Sequence, residues 1–149
     1  MPFTHLNPKA ITSLKSVDSR NLIYESMKES VFSNIPKSEW LYQSNHFFIV
    51  PDKYPVSDGH LLIISIEHRP NFFELSDEEQ QELPRLITKA KSIIEGYHTP
   101  TGYNIGMNCG TSAGQTVFHF HCHVIPRYDG DVENPRGGIR SVIPGMGDY

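Results

Sequence analysis

At 149 residues, with 38% hydrophobic and 20% charged side chains, the chain has the composition of a folded protein with one buried core, not of a disordered segment. A net charge of −4 and a pI near 6.0 argue against a general nucleic-acid binder, which would carry a basic excess. No stretch reads as a signal peptide or a membrane span, and two cysteines, Cys109 and Cys122, suit a reducing cytoplasm better than a disulfide framework, so a cytoplasmic location is expected.

Residues 1–18 read as an N-terminal arm. Ser19–Phe32 places Leu22, Ile23, Met27 and Val31 at helical spacing, and Pro36 closes that run, which predicts a shorter N-terminal helix. Trp40–Tyr42 and Phe47–Val50 are short apolar segments divided by Ser44-Asn45, the pattern of a hairpin. Pro51–Pro55 is a loop and Asp58-Gly59 a turn. His60–Ile66 is almost continuously apolar and too short for a helix, hence a buried strand. The spacing predicts a long helix from about Asp77 to Tyr97. Ser76 and Glu79 form its capping box, and its apolar stripe is Leu83, Leu86, Ile87, Ala90, Ile93, Ile94 and Tyr97. Pro84 falls inside it and is expected to kink it or reset its first turns. Tyr103–Asn108 and Phe118–Ile125 complete the strands, with a glycine-punctuated loop, Cys109–Gln115, between them. Residues 129–149 form a Gly/Pro-rich tail expected to run over the surface. Strands, one long helix and more strands indicate an α+β fold with an antiparallel sheet of about five strands.

Three of the eight histidines stand at every second position: His119, His121 and His123. On a strand such residues share one face, while Phe120, Cys122 and Val124 take the other. Packing alone has no use for three polar rings on one face. A zinc site is the second reading, but rings at these positions spread over about 13 Å, and no acidic or cysteine ligand stands beside them on that face. Phosphate binding without turnover is the third. Nucleophilic catalysis at a phosphate is favoured, because neutral imidazole is a nucleophile near pH 7 and the preceding loop can aim backbone N–H groups at anionic oxygens.

The run His119-Phe120-His121-Cys122-His123-Val124-Ile125 resembles the histidine-triad (HIT) family of nucleotide hydrolases and transferases. The likeness extends through Ala113-Gly114-Gln115-Thr116-Val117, Pro126-Arg127, Asp52 with Pro55, and Gly59-His60. It implies a single HIT-like domain over 1–149. It also implies His121 as the nucleophile on the α-phosphorus, His123 against the phosphate oxygens, His119 supporting the nucleophile's proton network, and His60 reaching toward His119 from outside. Gln115 would lie near the bridging oxygen, beside Gly114 and Thr116. Asn108 would face the leaving phosphates and Asp52 the ribose hydroxyls. Phe32, Ile35 and Val50 are candidates for the slot around the base.

Thr116 and Pro126-Arg127 resemble the dinucleoside polyphosphate hydrolase branch, whereas Asp52 departs from the Asn of its best-known members. Bacterial-type HIT proteins with an Arg127–Asp131 and Pro135–Gly138 pattern are most similar. The implied activity is hydrolysis of a dinucleoside polyphosphate such as diadenosine tetraphosphate. Phosphoramidase, phosphorylase or nucleotidyltransferase activity, and a non-catalytic nucleotide-binding signalling module, are the alternatives. No tightly bound cofactor or protein-held metal is expected, with Mg²⁺ arriving only on the substrate's phosphates. The partners expected are a small nucleotide and a second copy of the chain, joined through the long helix or Tyr103–Asn108. Neither nucleic acid nor membrane is expected. Arg127, Arg136 and Arg140 follow the triad in an otherwise acidic chain, and two readings stay open: Arg136 or Arg140 reaches the distal phosphates, or the tail only packs on the surface or the dimer interface.

Overall fold

A computed structural model describes residues 30–149. The N-terminal arm and most of the helix expected at Ser19–Phe32 lie outside the described residues. Val31 and Phe32 fall in a short 3₁₀ turn, Val31–Asn34, capped by the Ser30 side chain.

Five strands form one antiparallel sheet: β1 (Tyr42–Gln43), β2 (Phe47–Pro51), β3 (Leu61–Ser65), β4 (Gly102–Gly106) and β5 (His121–Arg127), in the spatial order β1-β2-β3-β5-β4. One long helix, α1 (Asp77–Glu95), covers one face of this sheet. Register divides the side chains cleanly. Phe47, Ile49, Leu61, Ile63, Cys122 and Val124 face the helix and pack with Leu83, Leu86, Ala90 and Ile94. Phe48, Val50, Leu62 and Ile64 face the other way and are covered by Phe32, Ile35 and Trp40. Being buried on both sides explains why β2 and β3 read as unbroken apolar runs.

The capping box of α1 is formed by Ser76 and Glu79 as expected. Glu79 is itself buried, and it takes both Arg69 Nε contacts (3.0 and 3.2 Å) as well as the Ser76 amide at 2.6 Å. The helix runs unbroken through Pro84, contrary to a reset of its first turns: one missing N–H is outweighed by the buried stripe on either side. It ends at Glu95, so Tyr97 leaves the stripe and stands 86% exposed. The last strand also starts later than expected. Phe120 is held by the end of β3 and the segment after it, its N–H donating to the Arg69 carbonyl (2.6 Å) and its carbonyl accepting from the Ser65 N–H (3.3 Å). The tail turns at Gly138–Val142 and returns to β4, where Gly138 and Ile139 lie against Asn104 and Gly106.

Candidate active site

β5 alternates in burial, with Cys122 and Val124 turned into the core and His121 and His123 half-buried on the opposite face. Their rings stand 5.2 Å apart, and Leu62 and Ile64 of β3 lie opposite them in register. His119 is different. It precedes the strand and is 2% exposed. Its Nε2 lies 2.7 Å from the Ser65 carbonyl and its Nδ1 2.6 Å from Ser30 Oγ. A carbonyl only accepts, so Nε2 carries the proton and the Ser30 hydroxyl donates to Nδ1. Burial pushes this imidazole down to about 4, so it is neutral near pH 7. The ring of His68 meets it edge-on at 4.7 Å.

The link from His119 to His121 runs through the backbone. His121 Nδ1 lies 2.8 Å from the His119 carbonyl. That contact fixes the proton on Nδ1 and leaves the Nε2 lone pair directed outward, the form a nucleophilic imidazole needs. Phe32 packs edge-on against both the His119 and His121 rings, at 5.9 and 4.9 Å. Together with Ile35 and Val50 it belongs to the apolar cluster on this face, so the three proposed slot residues are brought to one place.

His60 reaches His123 rather than His119, because β3 pairs with β5 so that the residue before Leu61 lands beyond Val124. His60 Nε2 is 2.9 Å from His123 Nδ1, and Asp52 Oδ2 is 3.4 Å from the first and 3.7 Å from the second. Burial lowers both rings, His123 to about 4 with help from neighbouring His121 and His60, while Asp52 opposes the shift. The acidic group that the sequence did not place beside the triad is therefore Asp52. Asp52, His60 and His123 offer three donor atoms within 4.8 Å, a set of the kind that can hold a divalent cation.

Gln115 departs most from expectation. It is 3% exposed, its Oε1 accepts the Gly110 N–H at 2.8 Å, and its Nε2 donates to the carbonyls of Pro70 (2.6 Å) and Val117 (3.1 Å). With both ends of the amide engaged, it braces the loop instead of facing a bridging oxygen. The amides of Ala113, Gly114 and Gln115 also bond within that loop, so few of its N–H groups are left for an anion. Gly114 holds φ +84°, where a side chain would be strained, and Asn108 lies next to it, exposed. Thr116 is exposed as well. Asn108, Gly114 and Thr116 are the members of this group left facing outward.

Arg127 shares the His121–His123 face, held by Asp131 through two contacts of 2.7 Å and by Asn104 Oδ1 at 2.6 Å. Arg136 and Arg140 instead flank the Tyr149 ring, at 5.1 and 4.9 Å. Ser30, Ser65 and His68 escaped the sequence reading. Only His68, another histidine among eight, carried any signal there.

Comparison with known proteins places the chain in a family. The HIT domain profile matches residues 33–130. The nitrilase and fragile histidine triad fusion protein NitFhit of Caenorhabditis elegans is 36% identical over 98 residues, 66% of this chain and 22% of that protein. A Mycobacterium tuberculosis protein named AP-4-A phosphorylase is 38% identical over 85 residues, 56% of this chain and 44% of its own length. The chain thus spans less than half the length of each of these two relatives. A crystal structure of a HIT family protein from Bacillus anthracis superposes with a TM-score of 0.64 at 32% identity, covering 70% of this chain and 77% of that one. With its paired histidines on β5, its five-stranded sheet and its matching profile, the chain belongs to the HIT domain family.

Proposed function

We propose that this protein cleaves dinucleoside polyphosphates at the α-phosphorus through a nucleotidyl intermediate on His121. The observation that carries this reading is the Nδ1 contact of His121 with the His119 carbonyl, which leaves the Nε2 lone pair for attack. As the Nε2–phosphorus bond forms, the bond to the bridging oxygen breaks and the remaining polyphosphate leaves. Water then attacks the same phosphorus, the phosphorus–nitrogen bond breaks, and a nucleoside monophosphate is released. Phe32, Ile35 and Val50 would enclose the base and Asp52 would take the ribose hydroxyls. No protein-bound metal is needed, Mg²⁺ arriving with the phosphates. Free thiols at Cys109 and Cys122 accord with a reducing cytoplasm.

Turnover of diadenosine tetraphosphate, set against an adenosine phosphoramidate and a His121→Asn control, tests this. Preference for the phosphoramidate would reassign the substrate class, and activity surviving in His121→Asn would overturn the intermediate. The name of the mycobacterial relative favours one second reading, in which inorganic phosphate is the acceptor. Adding phosphate would then change the product from a nucleoside monophosphate to a diphosphate. The working form is a homodimer joined along β4, which is an edge strand of the sheet.

A further inference from the structure

We propose that His60 is a positioning residue that keeps the ring proton of His123 on Nε2, so that His123 meets the substrate's phosphates as a hydrogen-bond donor. The argument starts outside the triad. The Val56 N–H points at His60 Nδ1 from 3.3 Å, and an amide only donates, so this nitrogen holds a lone pair. The proton of neutral His60 is therefore on Nε2, 2.9 Å from His123 Nδ1. His123 must accept there, which places its own proton on Nε2. Burial keeps both rings from gaining a second proton near neutrality.

Asp52 makes His60 necessary. Its carboxylate lies 3.7 Å from His123 Nδ1 and, with His60 gone, would be the remaining polar neighbour of that nitrogen. A carboxylate favours a proton on the atom facing it, so His123 would shift to the Nδ1–H form. Nε2 would then turn a lone pair toward an anionic phosphate. The other ring beside His123, that of His121 at 5.2 Å, has its Nδ1 engaged by the His119 carbonyl and offers His123 no substitute donor. The same three residues could be taken for a cation site, but a metal on His60 Nε2 would force a proton onto Nδ1, against the Val56 N–H.

Long-range ¹H–¹⁵N correlation spectra of the ¹⁵N-histidine-labelled protein read which nitrogen of His123 is protonated. We expect Nε2–H in the wild type and in His60→Gln, whose terminal amide N–H can still donate to His123, and Nδ1–H in His60→Leu. An Nδ1–H form in the wild type, or no change in His60→Leu, would overturn the proposal. So would stoichiometric Zn²⁺ binding that is lost in both Asp52→Asn and His60→Gln. The kinetic consequence rests on the cleavage reading above: kcat/KM falls about 10- to 100-fold in His60→Leu and recovers in His60→Gln. A wild type inactive on every nucleotide tried would sink that reading while the spectra still decide the proton's place.

Discussion

His119, His121 and His123 are chemically one residue type in three environments, and those environments divide the labour. On the proposed cleavage reading His121 is the nucleophile, so His121→Ala should abolish turnover while leaving the melting temperature nearly unchanged, since a half-buried ring is lost from an open face. A fall in stability matching the fall in activity would assign it a structural role instead. Asp52→Ala should raise KM about 10- to 100-fold, by loss of charge-assisted hydrogen bonds worth about 1.5–3 kcal/mol. His119 is the structural member, and its burial sets a pH dependence. Its folded value of about 4 lies below the 6.5 of an unfolded histidine. Neutral His119 therefore stabilises the fold fully above pH 6.5, and that contribution drains away as pH falls from 6.5 toward 4. The full amount is on the order of 3 kcal/mol. Urea melts between pH 7 and 4 should show this loss, reduced in His119→Gln; an identical slope in that variant would contradict it. The alternation of the triad was legible because strand period alone sorts faces. The distinct place of His119 was not, because its partners Ser65 and Ser30 are 54 and 89 residues away in the chain.

The long helix and the loop before β5 act as elements that hold this face. Local rules made α1 readable: a capping box and a 3.6-residue stripe. Local rules failed where long-range bonds decide. The start of β5 shifted to His121 because Phe120 is claimed by residues 65–70, and Gln115 turned inward to join that seam. Gln115→Ala should therefore lower thermal stability and turnover together. Reduced turnover at unchanged stability would return Gln115 to the substrate. The Glu79–Arg69 pair links the helix N-terminus to the same seam, since the Arg69 carbonyl accepts the Phe120 N–H. Glu79→Ala removes a capping partner and charge-assisted bonds from a buried site, a combined cost of about 2–4 kcal/mol. Denaturant unfolding would measure it, and a cost below 1 kcal/mol would mean that the pair contributes little.

At the scale of the whole molecule, the sheet has two edges, β1 and β4. Among the described residues β4 pairs only with β5, so its outer edge leaves N–H and C=O groups without strand partners there. Register puts Tyr103 and Ile105 on the helix side, and Ile105, 40% exposed, is an apolar side chain at that open edge. The other side of β4 is occupied by Gly138 and Ile139 of the tail. An antiparallel approach of a second β4 would complete the hydrogen-bonding edge and bury Ile105 against its copy. Related by a two-fold axis beside Ile105, the two sheets would become one of ten strands, each residue before Ile105 on one edge meeting one after it on the other. A stable pairing of this kind requires about 1,200–2,000 Å² of buried surface, which a five-residue strand supplies only with the flanking part of α1. The Lys91–Glu95–Tyr103 cluster lies there and would form the interface rim. Sedimentation at micromolar concentration should therefore give a dimer, and Ile105→Lys should give a folded monomer, because a charge at the edge opposes strand addition. A wild-type monomer, or a dimer indifferent to Ile105→Lys, would exclude pairing along β4.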